Sequence, residues 1–154
     1  MNKERLLTLV KFLKNLHLPI NCNFDMNSWG KRKIQELDLS VDEVPEECGT
    51  RACAIGWACS IPEFKTAGFQ LDLGNAPFFE GKRSYTAISH FFEIKEDTAV
   101  NLFASTVYDP TEKNNPIFVV NRILYVLKHG EDVYNKKVWD GNRNLLDKDF
   151  KEKI

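Results

Sequence analysis

Two stretches combine residue types that can do chemistry: Cys48-Gly49-Thr50-Arg51 and Gly81-Lys82-Arg83-Ser84-Tyr85. In each, a glycine frees the backbone, a hydroxyl stands where a helix is expected to begin, and a base sits alongside. The first amides of a helix point outward and carry partial positive charge, so such a start can cradle a phosphate. Bases at a helix N-terminus oppose the dipole, an arrangement more easily explained by an anion between them. The residues expected to hold it are Thr50, Arg51, Lys82, Arg83 and Ser84, with Trp57 or Tyr85 stacking on a base. The Gly-Lys-x-Ser string is not a Walker A loop, because Gly74 stands too far ahead of Gly81.

Cys48 is the candidate for a different chemistry. A thiol at a helix N-terminus beside a base such as Arg51 has a lowered pKa and becomes a nucleophile. Catalysis would also need a general base, and His90 is the candidate. Cys22, Cys48, Cys53 and Cys59 do not stand at zinc-ligand spacing, since 48 and 53 are five apart and 53 and 59 are six apart. Neither a metal nor a cofactor is expected. The opening residues lack the pattern of a secretory leader, so free thiols and a cytoplasmic location are expected.

Charge narrows the partners. Lys and Arg total 21 and Asp and Glu 22, a net charge of -1, which argues against a whole-chain grip on nucleic acid. Residues 84–93 and 97–107 superficially resemble a helix-turn-helix, but the second helix offers no Lys or Arg to phosphates. Acid is concentrated in residues 34–47. Asp42, Glu43, Glu46 and Glu47, with Phe78 and Phe79 in a Gly/Pro-rich loop, form the candidate surface for a protein partner.

The elements that must position these residues follow from periodicity. Length, 43% hydrophobic residues and 11 Phe suit one globular domain over residues 1–154. Leu6, Leu9, Val10, Leu13 and Leu16 mark an opening amphipathic helix that ends before Pro19. Residues 20–30 read as turn-rich, with Phe24, Met26 and Trp29 turned to the core. Thr50 is expected to cap a helix over 51–59, closed by Pro62; its small residues place it at the centre of the fold. Phe69, Leu71 and Leu73 alternate as a strand, giving a short β-hairpin near 66–80. Ser84 is expected to cap a helix through Phe92, and Asp97 or Thr98 the next one. Asn114 or Asn115, with Pro116, starts a long apolar helix that ends at Gly130. Beyond it Val138, Trp139, Leu145 and Leu146 are expected anchors. The expected fold is mainly α, five or six short helices around the small-residue helix.

The run Cys48-Gly49-Thr50-Arg51-Ala52-Cys53-Ala54-Ile55-Gly56-Trp57-Ala58 resembles the C-G-T-x-A-C-x-x-G-x-A signature of small bacteriophage and bacterial proteins. Phe24-Asp25-Met26, Trp29, Gly81, Ala87, Phe91-Phe92, Leu102-Phe103 and Tyr108 fit the same resemblance. It implies a phage or bacterial cytosolic setting, with a counter-defence role as an inference from that setting. The expected function is a non-enzymatic binding protein for a small anionic ligand, such as a nucleotide signal. The alternatives are an inhibitor of a host protein and a cysteine-dependent enzyme.

Overall fold

The computed structural model of the chain describes residues 1–18, 22–30 and 51–141. Its helices are α1 (Lys3–Lys14), α2 (Ala54–Ala58), α3 (Pro62–Thr66), α4 (Ser84–Phe92), α5 (Glu96–Phe103), α6 (Pro116–His129) and α7 (Glu131–Asp140). The strands are β1 (Asn23–Phe24), β2 (Arg51–Ala52), β3 (Gln70–Leu71), β4 (Pro77–Phe79) and β5 (Lys82–Arg83). The mainly helical architecture agrees with the sequence reading, with seven α-helices among the described residues.

Periodicity locates the longer helices well. Leu6, Leu9, Val10 and Leu13 bury one face of α1. Asn2 caps it, its side chain accepting from the Arg5 amide at 3.1 Å. Asn115 caps α6 in the same way, accepting from the Ile117 amide at 3.0 Å, with Pro116 in the first turn. Gly130 has φ +86° and turns the chain from α6 straight into α7. The apolar face of α1 packs on α6, and α4 packs on β4 and α5.

Phe69 and Phe91 stack at 4.2 Å, and Phe64, Phe79 and Phe92 meet them edge-on. This aromatic cluster joins the small sheet to the helices. The expected hairpin is present as β3–β4, and β5 adds a third antiparallel strand. Glu80 (φ +47°) and Gly81 (φ +77°) form the two-residue turn between β4 and β5. Positive φ at both positions is what a type I′ turn requires, and Gly81 meets it without strain.

Several expected elements are corrected. Residues 51–59 are not one helix: Arg51 and Ala52 pair in parallel with Asn23 and Phe24. Helix α2 starts at Ala54, after the Cys53 amide has donated to the Ser28 carbonyl at 2.6 Å. Backbone bonds from residues 23–28 thus claim the groups that would have formed the first helical turn. Pro62 opens α3 rather than closing α2. Ser84 is the first residue of α4, at φ +57°, and the cap position falls on Arg83, whose side chain makes no capping bond. Neither Asp97 nor Thr98 caps α5, which begins at Glu96. Leu73 is no strand residue but the 94% exposed tip of the β3–β4 turn. Val138 anchors α7 as expected, together with Tyr134, whereas Trp139 is 68% exposed. Leu145 and Leu146 lie outside the described residues.

Candidate functional site

The site is built on the two-stranded ribbon. Alternation along β1 and β2 turns Phe24 and Ala52 into the core and leaves Asn23 and Arg51 exposed as direct partners. The Asp25 amide donates to the Ala52 carbonyl at 3.0 Å and carries the pairing one residue further. Asp25 then closes a turn on itself: its Oδ1 accepts from the Asn27 backbone amide at 2.9 Å and from Asn27 Nδ2 at 3.0 Å. Such Asx turns are a local preference of Asp and Asn.

A second tie joins this turn to the entrance of α6. The Met26 amide donates to the Lys113 carbonyl at 3.0 Å, and Lys113 Nζ donates to Asn27 Oδ1 at 3.4 Å. Together these segments border a cleft of about 650 Å³. Polar groups come from Asn23, Asp25, Asn27, Arg51 and Asn114. Leu16, Leu18, Phe24 and Pro116 supply apolar surface, and Cys22 adds a thiol. The cleft therefore sits at the N-terminal end of a 14-residue helix, with a guanidinium on its lining. Both favour negative charge, the helix end through its dipole alone, since Pro116 has no amide hydrogen and the Ile117 and Phe118 amides already donate to Asn115.

Of the described residues expected to hold an anion, Arg51 is the one that lines this cleft. Thr50 and Cys48 lie outside the described residues, as do Asp42, Glu43, Glu46 and Glu47. Trp57 is 8% exposed, so it has no open face for stacking on a ligand. Its indole Nε1 is buried without a hydrogen-bond partner among the described residues. Lys82 and Arg83 are on β5, and Arg83 Nε donates to Asp72 Oδ2 at 2.5 Å. That guanidinium is committed to the β3–β4 turn rather than held for an anion. Tyr85 is half-buried against Trp29, ring centroids 5.0 Å apart. Burial pushes its hydroxyl up to about 12, with the Cys53 thiol adding to the shift. The second helix start, from Lys82 to Tyr85, thus holds structural contacts and forms no part of the cleft lining.

The remaining candidates resolve as follows. Phe79 is buried in the aromatic cluster and Phe78 is half-buried. They do not make the exposed anchor pair expected of a loop. His90 Nε2 lies 2.6 Å from Glu80 Oε2 on the surface. Cys53 and Cys59 are buried, and desolvation pushes the Cys53 thiol up to about 11. A thiol so placed stays protonated at neutral pH and is a poor nucleophile. Among the described residues no group of three His, Cys, Asp or Glu side chains is placed to hold a metal ion. No helix among them is long and apolar enough to cross a membrane.

Sequence reasoning did not assign Asn23, Asp25, Asn27 or Asn114 to a site. The signal was present in the dense Asn/Asp/Ser spelling of residues 23–28, which favours Asx turns. No spacing rule connects that turn to Asn114, because the link is a tertiary backbone bond. No protein-family model, curated protein or solved structure matches the chain.

Proposed function

We propose that the chain is a non-enzymatic binding protein that captures a small anionic ligand in the cleft beside Arg51. The observation that carries this reading is the meeting of Arg51 with the N-terminal end of α6 on one cleft. The volume falls within the range of small-molecule sites, roughly 300–1,000 Å³. Three carboxamides around a guanidinium suit an oxygen-rich ligand, because they can both donate and accept. A nucleotide signal belongs to this ligand class, and a counter-defence role would be one use of such capture.

Isothermal titration with inorganic phosphate, sulfate and small phosphate esters tests the reading, with Arg51→Ala as the control. Binding that Arg51→Ala weakens about tenfold or more would support it. Binding that Arg51→Ala leaves unchanged would move the site elsewhere. Native mass spectrometry of the purified chain adds a direct check, since a carried ligand leaves on denaturation and reveals its mass.

A second reading, docking on another protein, is favoured by Leu73. This leucine is 94% exposed on a turn held by Asp72, whose Oδ1 accepts from the Gly74 and Ala76 amides at 2.9 and 3.0 Å. Leu73→Asp should then abolish capture of the partner while leaving anion binding intact.

A further inference from the structure

Resting on the reading of the cleft as an anion site, we infer that it selects a phosphate ester bearing free hydroxyls over a bare anion, with Asp25 as the selecting residue. Asn23 is the direct partner of Arg51 across the ribbon. Asp25 directly follows β1, its amide bonded to the Ala52 carbonyl at 3.0 Å, and it lines the same cleft as Asn23 and Arg51. The cleft therefore carries both a cation and an acid on its lining. A phosphoryl group on the guanidinium meets repulsion from the carboxylate in inorganic phosphate and ester alike, and a hydroxyl elsewhere on the ester can offset it by donating to that carboxylate.

The carboxylate is also pre-set for recognition. Both recorded bonds to it, from the Asn27 backbone and side chain, fall on Oδ1. They fix the carboxyl plane, while Oδ2 has no bond among the described residues. A fixed carboxylate oxygen is a strong acceptor for a hydroxyl donor. Arg51 takes the phosphate, Asp25 Oδ2 accepts from a hydroxyl, and Leu18 and Pro116 offer apolar surface to the carbon skeleton. No bond is made or broken in this capture.

The test is calorimetric titration of the full chain with inorganic phosphate, ribose 5-phosphate and adenosine 5′-monophosphate. The wild-type chain should bind the better ester at least about tenfold more tightly than inorganic phosphate. A preference for ribose 5-phosphate identifies a free sugar phosphate, and a preference for the nucleotide identifies a nucleoside phosphate. Asp25→Asn keeps a side-chain oxygen for the Asn27 bonds, so the turn is retained, as thermal melting will verify. In that variant the ester should lose about tenfold, while inorganic phosphate holds or gains affinity. Equal wild-type affinity for phosphate and esters overturns the inference, as does an equal loss for both in Asp25→Asn. Phosphate binding that needs Arg51 but shows no ester preference overturns the inference and leaves the cleft reading standing. Absence of binding by all three probes overturns both.

Discussion

A β-carbon built on Gly56 would stand 1.6 Å from the carbonyl oxygen of Trp29 and 2.8 Å from the Ala52 β-carbon. The backbone of α2 thus rests directly on the residue 29 peptide, which brings residues 23–29 and 51–58 together. Both obstacles are backbone or a short buried side chain, so neither can swing aside. Gly56→Ala should therefore cost about 3 kcal/mol or more, although alanine is ordinarily the better helix former by about 1 kcal/mol. Urea unfolding of the variant checks this. A stability equal to or above that of the wild type would show that the two segments separate easily.

Arg122 and Glu112 supply the second prediction. They are 2% and 5% exposed, and Arg122 Nη2 lies 3.9 Å from Glu112 Oε2. The same nitrogen donates to the Val107 carbonyl at 2.8 Å, and the guanidinium lies 4.0 Å from the centre of the Tyr108 ring. Val107, Tyr108 and Glu112 thereby gather around one buried cation. Glu112→Ala should cost about 3 kcal/mol, because breaking a buried pair leaves the remaining charge poorly compensated. Denaturant unfolding of Glu112→Ala and Arg122→Met, singly and together, should show a double cost smaller than the sum. Additive costs would mean that the two groups act independently.

Helix positions were legible where one stretch of chain decides them. The 3.6-residue spacing of α1 and the Asn-Pro start of α6 are local signals, and the structure keeps both. The hairpin was legible too, although Leu73, expected in the strand, lies in the turn beyond it. Leu73 continues the alternation of Phe69 and Leu71, yet Asp72 ends the strand by capping the Gly74 and Ala76 amides. The start expected at Thr50-Arg51 failed for a tertiary reason: residues 51–53 bond to residues 23–28 instead of entering the helix. The cleft was half legible for the same reason. Arg51 has a suggestive local setting, whereas Asp25, Asn27 and Asn114 become neighbours through the bond from Met26 to Lys113.

Asp72 makes the β3–β4 turn pH-sensitive. Desolvation raises its carboxyl, but the Ala76 and Gly74 amides and the Arg83 guanidinium outweigh that and hold it below the ordinary 3.8. A carboxyl depressed in the folded state stabilises above its unfolded pKa and loses that contribution as pH falls through the folded value. The contribution should be complete at neutral pH and fade from about pH 4 downward. Asp72→Ala should lower the melting temperature by about 2–4 °C at pH 7. The gap to wild type should narrow at pH 3 and below. Calorimetric scans between pH 2 and 7 read this directly, and a gap that stays constant with pH would exclude Asp72 as the titrating group.

Glu131, the first residue of α7, does for α5 what neither Asp97 nor Thr98 does. Its Oε2 accepts from the Lys95 backbone amide at 2.6 Å and from the Thr98 hydroxyl at 2.7 Å. Asn135 Nδ2 donates to that same hydroxyl at 2.8 Å, and Asn101 Nδ2 donates to Asn135 Oδ1 at 3.0 Å. A carboxylate from one helix thus caps the N-terminus of another and favours its dipole. Thr98 is fully buried, so removing the carboxylate leaves its hydroxyl hydrogen without this acceptor. Glu131→Ala should cost about 2 kcal/mol. Glu131→Gln should cost about half as much, since an acceptor oxygen remains but the charge does not. Thr98→Val removes the buried donor beforehand, so Glu131→Ala should cost less in that background. Costs that add within about 0.5 kcal/mol would show instead that the carboxylate acts on the Lys95 amide alone.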